Sequence, residues 1–144
     1  MRASTALTAF LALVVTGCEP ASGVEVARAP SPSGAVEAVL LESNGGATTS
    51  FGYGVFLVEA GAQVEGPPTA TLYAAVRSDS AYGVNLQWEG DRTLALEYLS
   101  ARHTDSAAPA SPPGGRPIRV IFRDGIEDPA APAGGMAFNL RRLR

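Results

Sequence analysis

The chain has no lysine, and it has one cysteine (Cys18), one histidine (His103) and one tryptophan (Trp88) in 144 residues. A single cysteine excludes an intrachain disulfide. One histidine cannot make a His-based zinc site, which takes three or four protein ligands. Basic charge is scarce as well: 11 arginines face 14 acidic residues, a net charge of −3. Nucleic-acid binding needs a concentrated Lys/Arg surface, so nucleic acid is not an expected partner. No apolar run is long enough to span a bilayer as a mature helix. There is no internal repeat, which excludes a closed propeller, and no long amphipathic helical pattern.

What is present begins with an address. Arg2 supplies a positive start, and Ala6 to Val15 (ALTAFLALVV) is a short apolar core, so residues 1–17 read as a signal peptide in helical form. It ends in Val15-Thr16-Gly17-Cys18, which resembles the lipobox of bacterial lipoproteins. That resemblance implies cleavage between Gly17 and Cys18, a diacylglycerol thioether on the Cys18 sulfur, and a palmitate-type acyl group on its amino group. Several acyl chains on one residue meet the requirement for stable anchoring. The bland alternative is an ordinary signal peptide that contains a cysteine. Glu19, rather than Asp, follows Cys18. In a host with two membranes this implies the periplasmic face of the outer membrane. The expected partners are therefore the membrane, through acyl chains on Cys18, and an envelope protein.

Removing residues 1–17 leaves 127 residues with ten basic and 14 acidic side chains, or −4. That suffices for one modest core. Glu19 to Pro30 (EPASGVEVARAP) is small and Pro-containing, so 18–30 is expected to be a lipidated flexible tether. Residues 31–144 are expected to form a single β domain.

The domain is organised around Ser31 to Glu59. Ser31-Pro32-Ser33-Gly34 is a turn sequence. Ala35 to Glu42 (AVEAVLLE) is of strand length, although its composition also accepts a helix. Asn44-Gly45-Gly46 is a hairpin signal that favours the strand. The return run places Phe51, Tyr53, Val55 and Leu57 on one face, and Gly52, Gly54, Phe56 and Val58 on the other. The two glycines mark local weakness, a bulge or a close backbone approach.

Ser31-Pro32-Ser33-Gly34, Ala38-Val39, Gly45-Gly46-Ala47-Thr48-Thr49-Ser50-Phe51 and Val55 together resemble a family of short bacterial secreted or lipid-anchored proteins of unknown function. Its pattern is roughly S-P-D-G-x-x-x-A-V, then C-G-A-T-T-x-F-x-x-x-V. The likeness covers about twenty positions and implies no activity. Ser33 stands where that family usually has Asp, and Gly45 where it often has Cys.

Further strands are expected at 70–79, 82–88, 93–99, 117–123 and 136–140. In the first, Leu72, Ala74 and Val76 face inward. Leu94, Leu96 and Tyr98 are the inward set of the third, which pairs with 82–88 in a second hairpin. The loops are 61–68, 106–116 and 128–135, rich in Gly and Pro. The sum is about seven short strands: an all-β domain, either a small antiparallel sandwich or a strongly bent sheet.

The candidate sites are modest. Asn44, Gly45, Gly46, Thr48, Thr49 and Ser50, with nearby Tyr53, offer backbone N–H groups and hydroxyls to an anion. The alternative is a wide turn whose hydroxyls bond the local backbone. Arg102-His103-Thr104-Asp105-Ser106 holds a base, a carboxylate and hydroxyls, but triads are made by geometry rather than by adjacency. Asp124 to Asp128 has oxygen ligands without calcium-loop spacing. Arg119 and Arg123 share a strand face, where they pair with Glu97 or Glu37 or attract an anion. No catalytic residue, metal or cofactor is assigned. The expected function is a non-catalytic interaction or accessory module of the cell envelope, with a small-ligand or anion-binding module using the 44–51 loop as the alternative and a hydrolase as the third reading.

Overall fold

The computed structural model describes residues 23–78, 81–106, 112 and 115–128. The expected signal peptide, Cys18 and the expected strand at 136–140 lie outside the described residues.

The described chain is all-β. Its strands are β1 (Val24–Pro30), β2 (Val36–Asn44), β3 (Phe51–Glu59), β4 (Ala70–Tyr73), β5 (Arg77–Ser78), β6 (Ala81–Tyr82), β7 (Asn85–Trp88), β8 (Thr93–Glu97), β9 (His103–Ser106) and β10 (Arg119–Arg123). They form a five-stranded sheet β1-β2-β3-β4-β9, a three-stranded sheet β10-β8-β7 and the small pair β5-β6. The main core draws on both larger sheets. Val26, Ala38, Leu40, Tyr53, Val55 and Leu72 come from the first, and Leu94 and Leu96 from the second, with Trp88 and Phe122 packed against them. This is a small β-sandwich with side chains interdigitating between the layers.

The β2–β3 hairpin forms as the sequence predicts, with Asn44 opposite Phe51 and Val36 opposite Glu59. Phe51, Tyr53, Val55 and Leu57 all face the main core. The helical alternative for 35–42 is excluded. Its continuous apolar run has a physical reason: the sheet is buried on both faces there. Val39, Leu41, Phe56 and Val58 make a second cluster, covered by Ala62 and Val64 of the β3–β4 loop. The β2–β3 register runs without a bulge through both glycines. At Gly54 the reason for glycine is a close approach, since a Cβ would sit 3.0 Å from Phe56 Cε2 and 3.5 Å from Pro68 Cβ.

Three expectations are corrected. First, Val24–Pro30 is not tether. It pairs antiparallel with β2 and buries Val26, Ala27 and Ala29, so the folded domain begins before Ser31. Second, the expected strand 70–79 is broken into β4 and β5. Ala74 is left-handed at φ 55, which reverses the side-chain alternation. Ala75 is buried as a result, whereas Ala74 and Val76 are only partly so. The expected strand 82–88 is divided likewise between β6 and β7. Third, the sheets are not wholly antiparallel. β10 pairs with β8 in parallel, Arg119 opposite Thr93 and Arg123 opposite Glu97. The second hairpin, β7–β8, is antiparallel as expected, and Leu94, Leu96 and Tyr98 are buried.

Candidate functional site

The Asn44–Ser50 loop forms an exposed turn whose polar groups are largely spent on the turn itself. Asn44 Oδ1 accepts the Gly46 N–H at 3.0 Å, and Thr49 Oγ1 donates to the Gly46 carbonyl at 3.2 Å. The Thr49 N–H also goes to Gly46 O, at 3.1 Å, and the Ser50 N–H goes to Tyr73 Oη, at 3.2 Å. A nest for an anion needs convergent free N–H groups. Here the N–H groups of Gly46, Thr49 and Ser50 already have partners. Gly45 is needed for the compact form, since a Cβ there would lie 2.6 Å from Thr49 Oγ1. Tyr53 does not belong to this loop site. It is 2% exposed and lies in the main core. Burial, and then the Glu42 carboxylate, push its phenol well above the usual tyrosine range. Arg77 lies beside this group, 3.3 Å from Glu42 Oε1, with its guanidinium 4.1 Å from the Phe51 ring centroid.

The other sequence candidates are scattered. His103 is exposed on the edge strand β9, opposite Tyr73, and has no hydrogen bond to a hydroxyl or carboxylate among the described residues. Among the described residues no three His, Cys, Asp or Glu side chains come together. Asp128 accepts from Asn85 Nδ2 at 3.3 Å. Arg123 pairs with Glu89, and with Glu97 across the parallel ladder at 3.6 Å, as cross-strand pairing predicts. Glu37 is taken instead by Arg28 on β1. The Gly61 N–H first, and then Arg28, hold its carboxyl below the usual range.

A different place has the shape of a binding site. A cleft of ≈ 1000 Å³ opens between the Ser31–Gly34 turn, the β7–β8 turn and the start of β10. Its first wall is the Ser31–Gly34 turn. Ser31 O accepts the Gly34 N–H at 2.8 Å, and Gly34 sits at φ 71, which favours glycine. Ser31 is buried, and its Oγ accepts the Val36 N–H at 3.2 Å and lies 3.3 Å from Ser33 Oγ. The second wall is fastened to the first: Asp91 Oδ1 accepts the Ser33 N–H at 2.7 Å. The third is fastened to the second, as the Arg119 N–H donates to Arg92 O at 2.9 Å. Val36 and Val120, part-exposed, supply an apolar floor, with Ile118 buried among them at 2% exposure.

Charge along this cleft is unequally committed. Glu89 is engaged by Arg123, and Asp91 by the Ser33 N–H. Arg92, Arg116 and Arg119 line the cleft, are exposed and form no ion pair among the described residues. Sequence reasoning singled out Arg119 and the Ser31–Gly34 turn but did not bring them together. The cleft is assembled from segments more than eighty positions apart, and a parallel strand pair sets the third wall. The one local signal was Arg116-Pro117-Ile118-Arg119, a proline-started strand with arginines at both ends. Comparison of the chain with protein-family models, with curated proteins and with solved structures finds no match.

Proposed function

We propose that this chain is a lipid-anchored envelope protein whose β-sandwich serves as a non-catalytic binding module, with the cleft beside the Ser31–Gly34 turn as its binding surface. The observation that carries the binding role is the cleft itself: three walls fixed to one another by hydrogen bonds, an apolar floor and three arginines that form no ion pair among the described residues. Support for the anchor comes from the sequence, in which the only cysteine closes the Val15-Thr16-Gly17-Cys18 stretch. The 44–51 loop is the weaker binding reading, because the N–H groups of Gly46, Thr49 and Ser50 and the Thr49 hydroxyl are used within the domain.

Metabolic labelling with a palmitate analogue tests the anchor. Label on the wild-type protein that disappears in Cys18→Ser is the expected result; an unlabelled wild type contradicts it. The non-catalytic assignment is contradicted by turnover of an envelope substrate that is lost on His103→Ala.

A further inference from the structure

We infer that the cleft binds a phosphate ester, with its phosphoryl group held by Arg92, Arg116 and Arg119 and its organic part resting on Val36 and Val120. The inference rests on the binding-module reading and names its ligand class.

Its first ground is charge. The whole chain is net negative, at −3, yet this cleft gathers three arginines that form no ion pair among the described residues. Two acids also line it: Glu89, paired with Arg123, and Asp91, which accepts the Ser33 N–H and keeps its charge. Three arginines against these two carboxylates leave the cleft lining cationic.

The second ground is residue type. Arginine presents a planar fork of donors that matches phosphate oxygens in pairs, and it stays charged at any physiological pH. Three such forks exceed what a single carboxylate can accept. A phosphoryl group spreads its charge over several oxygens and can engage more than one fork.

Size is the third ground. A volume of ≈ 1000 Å³ stands at the upper end of the range of about 300–1,000 Å³ for small-molecule sites. A bare inorganic anion would leave it mostly empty, and the apolar floor would have nothing to cover. Val36 and Val120 line the cleft and are part-exposed, with buried Ile118 beneath the surface. A phosphate carrying an organic body uses both features. Such a group can come from a soluble phosphate monoester or from an anionic phospholipid headgroup close to the anchor.

The test is calorimetric titration of the protein purified from membranes in neutral detergent. Three probes separate the outcomes: phenyl phosphate, glycerophosphoglycerol (the tail-free headgroup of an anionic phospholipid) and neutral phenyl glucoside. The Arg92→Gln/Arg116→Gln/Arg119→Gln variant changes exposed side chains only, so the fold is expected to persist; its thermal transition checks this. Arg102→Gln, exposed and outside the cleft, is the control. The expected result is binding of a phosphate probe that weakens at least about tenfold in the triple variant, stays unchanged in Arg102→Gln and falls with added salt. Tighter phenyl phosphate binding assigns a soluble ester, and tighter glycerophosphoglycerol binding a headgroup. Phenyl glucoside binding as well as either phosphate, or a triple variant binding like wild type, overturns the phosphate assignment and leaves the cleft as a binding surface. No binding of any probe overturns both readings.

Discussion

Ala74 is a non-glycine residue with φ 55, at the junction of β4 and β5, and its N–H donates to Phe51 O at 2.9 Å. An L-residue in the left-handed region costs of order 1 kcal/mol that glycine does not incur. Ala74→Gly should therefore leave the protein as stable or raise its stability by up to about 1 kcal/mol, read by urea unfolding. A loss of more than that would show that Ala74 is not left-handed in solution. A second residue carries a pH dependence. The Glu37 carboxyl accepts the Gly61 N–H at 3.0 Å and pairs with Arg28, so its charged form is favoured in the folded state. A lowered folded pKa means that the stabilisation is present above the unfolded value of about 4.3 and is lost as pH falls through the lower folded value. The gap in Tm between wild type and Glu37→Gln should be present at neutral pH and close under acid. A gap that persists unchanged to strongly acidic pH would mean that the Glu37 charge is not what stabilises the fold.

At the scale of elements, β1 is the part least legible in the sequence. VEVARAP contains an arginine and a proline, and the alanines it buries, Ala27 and Ala29, carry little apolar signal. Pairing with β2, burial of Val26 and Ala27 in the main core and the bond from Trp88 Nε1 to Ala29 O, at 2.9 Å, make it part of the sandwich. A chain beginning at Ser31 should lose about 3–5 kcal/mol relative to one beginning at Gly23, from the lost burial of Val26, Ala27 and Ala29 and the lost indole bond. Equal stability of the two would restore the tether reading. The two hairpins were legible because their signals are local: Asn44-Gly45 at one turn, Gly90 (φ 80) in the other, and runs of strand length on either side. The break at Ala74 was not, since no residue type there announces a left-handed backbone. The parallel placement of β10 on β8 was not either, because the chain visits the other sheet as β9 between them.

At the scale of the molecule, the same limit hid the cleft. The Ser31–Gly34 turn reads as a turn from Pro32 and Gly34 alone, but its function as a wall depends on Asp91, about sixty residues later in the chain. The loop that stood out in the sequence, Asn44 to Ser50, did so by composition. Folding spends three of its N–H groups on the Asn44 side chain, the Gly46 carbonyl and Tyr73 Oη. A side chain at Gly45 would meet Thr49 unless the loop opened. The proposed binding surface is thus not a local motif but one that only the sandwich creates, where two sheets and a turn meet. The measurement that tests this most directly is mapping of amide chemical shifts with a small set of acidic, neutral and basic fragments. The account predicts that fragments perturb Ser33, Arg92, Ile118 and Arg119. Perturbations confined to Asn44–Ser50, or none in either place, would contradict it.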